Sequence, residues 1–266
     1  MDATEYLRGG DIDAALKALQ AQIRSEPANA KLRVFLFQLL CVNGDWDRAL
    51  SQLNIAGELD AGTLGMVQVY REGLRSEFLR REIFAGRKAP LIFGDPERWV
   101  ALLLEALRLT GEGEAAKGQA LRDEAFEAAP TSSGKMNGTP FEWIADADPR
   151  LGPMLEAIVA GRYYWIPFAR IAEMRIEEPK DLRDLVWTPA ELKWSNGGDA
   201  VALIPTRYPG SEAHPDPNIR LARRTEWEEL GKHGLVGVGQ RLWATDVEEY
   251  PLLEVRQLNF DAPPAQ

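Results

Sequence analysis

Between Gly10 and Pro27, apolar residues sit at Ile12, Ala15, Leu16, Leu19 and Ile23. Steps of three and four residues place them on one buried helix face. Pro27 ends that helix, because proline lacks the N–H an interior turn needs. A second helix is predicted from Asn29 to Val42, stopped by Gly44, and a third from Asp45 to Ala56. Asp11 and Asp45 stand where a side-chain oxygen can accept from the unpaired N–H groups of a first turn. Residues 63–86 predict one longer helix with Leu64, Val67, Leu74, Phe78 and Leu79 on its core side. "DPERWVALLLEALRLTG" and "EAAKGQALRDEAFEAAP" predict a further pair.

Two of these helices open with nearly the same phrase, "GGDIDAAL" at residues 9–16 and "NGDWDRAL" at 43–50. The offset from Gly10 to Gly44 is 34 residues. The phrase resembles a tetratricopeptide repeat, a helix pair of that period. In such a unit the glycine makes the turn between helices. Ala15 and Ala49 let the helices approach, Leu19 and Leu53 fill the groove, and Pro27 closes the unit. Any antiparallel helical hairpin could also use Gly-Asp turns and alanine contacts. Each pair buries its apolar face against the next, so repeats stack and leave a concave surface lined by the first helix of each pair. On that surface Lys31, Val34, Gln38 and Cys41 form a candidate stripe for an incoming amphipathic helix. Arg71 and Arg75, one turn apart on the long helix, are candidates to pair with its acidic groups.

The rhythm changes near residue 130. Four of the 17 prolines precede it or stand at it and thirteen follow, as do six of the eight tryptophans. Residues 1–129 are therefore read as a tetratricopeptide-like α-α superhelix, and 141–260 as a small, mostly antiparallel β-rich α+β domain. "APTSSGKMNGTP" supplies a linker over 130–140, and 261–266 a disordered tail. Asn196-Gly197 and Ala160-Gly161 sit between β-branched and aromatic runs and predict hairpin turns. "PKDLRDLVW" predicts a short helical turn, and "VGVGQRLWATD" and "PLLEVRQLNF" two late strands.

Charge narrows the function classes. The chain carries a net −10, with 16 basic and 20 acidic residues up to Pro130 and 15 and 21 after it. A nucleic-acid backbone would be repelled by either half. No apolar run approaches the ~18 residues of a membrane span. The start, "MDATEYLRGGD", lacks a signal-peptide layout, so cytoplasmic residence is expected. The single cysteine, Cys41, excludes an intrachain disulfide or a cysteine-rich zinc site.

Candidate chemistry is sparse. The two histidines, His214 and His233, lie in a proline-rich loop and a turn, without a second histidine at ligand spacing. Ser211, His214 and Asp216 contain the residue types of a hydrolytic triad, but three neighbours in one loop seldom converge on a reacting atom. Cys41, among leucines, reads as a buried apolar residue. "DADPR" at 146–150 offers paired carboxylates and reads as a solvated turn. "GVGQR" at 237–241 lacks the residues of a phosphate loop, and "RLARRTEWEEL" reads as a solvated surface of alternating charge. Trp143, Trp165, Trp187, Trp194, Trp227 and Trp243 could form a ligand cage, but a small β domain needs such side chains for its core. No cofactor or metal is called for.

"GRYYWIPFARI", "LRDLVWTPAELKW", "VALIPTRYPGSE", "LARRTEWEE" and "GQRLWATDVEEYPLLEVR" resemble the ImpE family, also called TagJ, of type VI secretion gene clusters. The resemblance implies a tetratricopeptide-like region joined to an α+β domain, and an accessory protein without catalytic residues. It also implies association with the cytoplasmic contractile sheath, through an N-terminal helical segment of the small sheath subunit, TssB. Sheath assembly, or recycling by the ClpV unfoldase, would be the process tuned. Two other readings stay open. One is a hydrolase-like enzyme with a site around His214, Asp216 and Arg207, on a loop longer than a hairpin needs. The other is a general chaperone-like adaptor.

Overall fold

The computed structural model describes residues 2–229 and 234–261. The expectations for His233 and for a disordered tail beyond Asp261 lie outside the described residues. Helices α1 (Ala3–Arg8) and α2 (Ile12–Ser25) form one hairpin, and α3 (Ala30–Val42) and α4 (Trp46–Leu59) a second. A 21-residue helix, α5 (Leu64–Phe84), follows, and later the pair α6 (Arg98–Glu112) and α7 (Ala115–Ala128). Ala15, Leu19, Ala49 and Leu53 are all wholly buried, as the repeat requires. Asp11 caps α2 by accepting from Ala14 N (2.9 Å). Asp45 makes no such cap and pairs with Arg48 instead (2.7 Å). Val67 and Leu74 are buried, but Leu64 and Phe78 are 55% and 47% exposed, against expectation. Their side of α5 meets no further helix of a stack.

The strands are β1 (Leu91–Ile92), β2 (Gly134–Met136), β3 (Thr139–Phe141), β4 (Ile144–Asp146), β5 (Met154–Val159), β6 (Arg162–Pro167) and β7 (Ile171–Ile176). After them come β8 (Trp187–Trp194), β9 (Asp199–Pro205), a one-turn helix α8 (Pro217–Arg220), β10 (Thr225–Glu229), β11 (Leu235–Gly239), β12 (Leu242–Thr245), β13 (Glu249–Pro251) and β14 (Gln257–Phe260). Nine form one sheet in the order β1-β6-β5-β9-β8-β7-β14-β2-β3. Of its pairs, only β1 with β6 is parallel. β10 and β11 form a hairpin, and β13-β12-β4 a small third sheet. Both predicted hairpins are present: β5 returns as β6 through Ala160-Gly161, and β8 as β9 through Asn196-Gly197. "PKDLRDLVW" makes a run of turns that includes one helical turn, with Trp187 N donating to Arg183 O (2.7 Å).

The expected linker is structured. β2 and β3 form an edge hairpin of the large sheet around Asn137-Gly138, so the sheet begins at Gly134. The small polar residues of this stretch look like a linker by composition, but Asn-Gly between two short runs is a turn signal.

Alternate residues of the sheet serve two cores. Leu155, Ala157, Ile166, Met174, Leu192 and Ile204 face an inner core completed by Trp243 and Leu252. Met154, Ile158, Tyr163, Trp165, Trp187 and Leu203 face the helices and share one cluster with Leu19, Phe37, Leu53, Leu74 and Trp99. Repeats and sheet therefore share one interior, while the inner core belongs to the sheet region alone.

The repeat glycines mark the contact. Gly10 and Gly44 both take left-handed backbone, at φ +82° and +71°. A Cβ on Gly44 would sit 2.5 Å from Glu212 Cγ, whereas on Gly10 the nearest atom is 3.7 Å away. Gly10→Ala should therefore cost about 1 kcal/mol from backbone strain alone, and Gly44→Ala at least about 2 kcal/mol because Glu212 must also move. Denaturant titration of both variants checks the order; equal losses would remove the argument for close contact at Gly44.

Candidate functional site

The trough proposed from the repeat is closed along half of its stripe. Lys31 is exposed and Val34 half-buried, but Gln38 and Cys41 are buried and cannot receive a partner helix. Trp187 of β8 enters here, with ring centroids 6.1 Å from Trp46 and 5.9 Å from Tyr70. Gly73 packs against this ring, and a Cβ there would meet it at 3.4 Å, an ordinary van der Waals contact. Burial pushes the Cys41 thiol well above its ordinary pKa, against the pull of Arg207, which leaves it protonated and unreactive. Arg71 donates to Asn54 Oδ1 on α4 (2.9 Å), while Arg75 stays exposed beside Glu72 (2.7 Å).

Arginines of the sheet region fasten the repeats in register. Arg223 donates to Leu7 O (2.7 Å) and Arg8 O (3.4 Å) at the end of α1. Arg207 donates to Cys41 O (3.1 Å) and Val42 O (2.7 Å) at the end of α3. The two carbonyl pairs are 34 residues apart, one repeat period. Each guanidinium satisfies last-turn carbonyls and meets the negative end of the helix dipole. Arg220 adds a bond to Asn43 Oδ1 (2.6 Å).

Deeper, a charge network joins α5 to the sheet. Arg80 binds both carboxylate oxygens of Glu156 on β5 and donates to Arg207 O (2.5 Å). Arg241 bridges Glu156 and Asp146 and donates to Pro205 O (2.9 Å). Tyr163 Oη donates to Glu156 Oε1 (2.7 Å) and accepts from Trp165 Nε1 (2.9 Å). Trp187 Nε1 donates to Glu77 Oε1 (2.9 Å). Burial pushes the Glu156 carboxyl up, but the guanidiniums of Arg80 and Arg241 overcome this and hold it below its ordinary value. Burial wins at Asp146, which rises to about 6 despite Arg241, and raises Glu77 despite Arg80.

This corrects the reading of "DADPR" as a solvated turn. Asp146, Asp148 and Arg150 are all buried, and Arg150 Nε donates to Asp148 Oδ1 (2.9 Å). The Arg241 partner comes from "GVGQR", which by sequence belongs only to a predicted late strand. The lone carboxylate in "MLEAIV" (154–159) was the available signal, because an acid inside an apolar strand needs a buried partner.

No hydrolytic relay forms among the described residues. Ser211 Oγ donates to Tyr208 O (2.6 Å) and accepts from Gly239 N (2.8 Å). His214 Nδ1 accepts from Asp216 N (3.0 Å), so its proton lies on Nε2, facing Glu228 Oε1 (2.9 Å). Asp216 caps α8 through Asn218 N (2.8 Å), and Arg207 points to α3. His214, Glu226 and Glu228 come within 4.8 Å of one another. They do not suit a cation: Nε2 carries a proton, and Arg224 pairs with Glu226. Trp165, Trp187 and Trp243 are wholly buried core residues, Trp194 is nearly so, and Trp227 packs on Tyr208. Trp143 is 40% exposed, so the six form no cage.

Comparison with known proteins covers both halves. A model of the tetratricopeptide repeat matches residues 6–64, and a family model described as ImpE protein matches 138–259. The type VI secretion system accessory component TagJ of Pseudomonas aeruginosa is 53% identical over 261 residues, 98% of this chain and 92% of that protein. An X-ray crystal structure of a Vibrio parahaemolyticus protein superposes with a TM-score of 0.87 at 25% identity, over 98% of each chain.

Removing one member of the network should be costly. Glu156→Gln leaves two buried guanidiniums short of charge and should cost about 3–5 kcal/mol, with helices and sheet unfolding in one transition. The pH dependence follows from Asp146, whose folded value of about 6 lies above its ordinary 3.8. The folded chain then binds this proton before the unfolded chain does, so Asp146 favours folding more as pH falls from about 6 to about 4. Denaturant titrations across that range should show this contribution in the native sequence and its absence in Asp146→Asn.

Proposed function

From the premise that the chain belongs to the ImpE (TagJ) family of type VI secretion accessory proteins, we propose that it is a non-enzymatic adaptor that binds a helical segment of the small contractile-sheath subunit, TssB. The observation that carries the reading is the match to TagJ across helices and sheet together. Binding would take place in the cytoplasm and tune sheath assembly or its recycling, with ClpV an indirect link. No helix among the described residues is long and apolar enough to cross a membrane, which suits such a role. The closed hydrogen bonds around Ser211 and His214 also favour binding over catalysis.

The half-closed trough changes where that helix would sit. With Gln38 and Cys41 covered, the partner must use a surface that helices and sheet leave open. A labelled peptide of the sheath subunit's first helix, titrated against the whole chain, should bind with a Kd near micromolar, about −8 kcal/mol. Absence of binding at about millimolar peptide, roughly −4 kcal/mol, would dismiss the reading.

A further inference from the structure

α5 occupies the third first-helix position of the repeat. The positions held by Ala3 and Leu7 on α1, and by Phe37 and Cys41 on α3, fall at Arg71 and Arg75 on α5. The first four side chains are buried; Arg71 is half-buried and Arg75 exposed. α1 packs on α2 and α3 on α4, but α5 is followed by the two-residue β1, which joins the sheet edge beside β6. A groove of 330 Å³ is left between α5 and the β5–β6 turn. Leu79 and Leu91 line it, with Arg75 on one rim and Arg162 on the other. Phe78, next to Leu79, and Leu91 are 47% and 48% exposed.

The charge here opposes that of the whole molecule. Arg75 and Arg162 line this groove with a single acid, Glu72, although the chain carries −10 overall. Glu72 already pairs with Arg75, and Arg162 has no carboxylate partner among the described residues. An anionic ligand gains most where guanidiniums outnumber acids beside apolar surface. The helix surface also selects the shape of that ligand. Along α5 the backbone groups are used within the helix, and only the two residues of β1 offer a sheet edge, so an extended peptide would leave most of its N–H and C=O groups unpaired. A helix satisfies them internally and presents one apolar face.

We propose that this groove receives an acidic amphipathic helix of a partner protein. Its apolar side covers Phe78, Leu79 and Leu91, and its carboxylates meet Arg75 and Arg162. The assignment rests on the adaptor reading above and adds to it the face used and the sign of charge recognised.

The test uses the full chain and two synthetic 18-residue helices of Leu and Ala, one flanked by Glu and the other by Lys. The Glu peptide should bind, and more weakly as salt rises; the Lys peptide should not. The double variant Arg75→Glu/Arg162→Glu changes two exposed side chains, so its circular dichroism and Tm should match those of the native chain. It should lose at least tenfold in affinity for the Glu peptide and gain affinity for the Lys peptide. Equal binding of both peptides, or no response to the double variant, would overturn the assignment. Repeating the titration with the sheath-subunit segment separates the two readings. Equal binding of that segment to native and variant chains discards this groove and leaves the adaptor role standing. A segment that binds neither removes the adaptor role, while the Glu peptide still decides the groove.

Discussion

The pairing of Arg80 on α5 with Glu156 on β5 sets the terms for the rest of the molecule. Two opposite charges removed from water gain little net stability over an apolar pair, because desolvation offsets most of their attraction. Left without its partner, however, either charge is strongly unfavourable. The arrangement is therefore decisive about geometry. Arg80 reaches its acceptors only if α5 lies across β5, and Arg241 completes Glu156 only if β12 and β4 bring Asp146 alongside. Helices packed elsewhere on the sheet would bury the same groups unpaired. The network acts against wrong dockings more than it strengthens the right one.

The same logic explains the arginines at the repeat ends. A helical repeat ends each first helix with carbonyls that need donors, and in an open array water supplies them. Where the sheet region buries such an end, as at Val42, water is excluded and the cover must bring a donor of its own. Arg223 and Arg207 do so at positions one repeat apart. The sheet thus holds the repeats by a feature that recurs with their period, and side-chain identity on the helices matters less than spacing. Gly44 fits this pattern, because the turn that ends α3 is also where Glu212 presses in.

How much of this was legible in the sequence follows from the range of the forces involved. The helices, their turns and the buried Ala15, Leu19, Ala49 and Leu53 were readable because contacts a few residues apart create the pattern. The hairpins at Ala160-Gly161 and Asn196-Gly197 were readable because backbone conformation demands those residues. Cys41 was misplaced because Arg207, 166 residues later in the chain, closes on its carbonyl, and helix periodicity carries no sign of that contact. Asp146 was misplaced for the same reason: its partner Arg241 is 95 residues away. Local chemistry around "DADPR" describes a turn accurately and says nothing about whether it faces water. Phe78 and Leu64 erred in the other direction, because a helical stripe does not reveal whether a further helix will cover it.

That last error leads back to recognition. A tetratricopeptide array used as a binding module keeps its concave face free, and here the Gln38 and Cys41 end of that face is buried. What stays open is the side of α5 where the repeat stops, with Phe78 uncovered and Arg75 in solvent. Covering a terminal repeat usually requires a polar outer face or a capping helix. α5 has neither along its whole length: its open side mixes guanidiniums with large apolar groups. A surface evolved only for solubility would place lysines and glutamates there, because Phe78 and Leu91 in water gain nothing. Apolar side chains beside Arg75 and Arg162, which share the single acid Glu72, gain free energy when something acidic and apolar together lies on them, so the break in the repeat is where recognition by another chain would be most favourable.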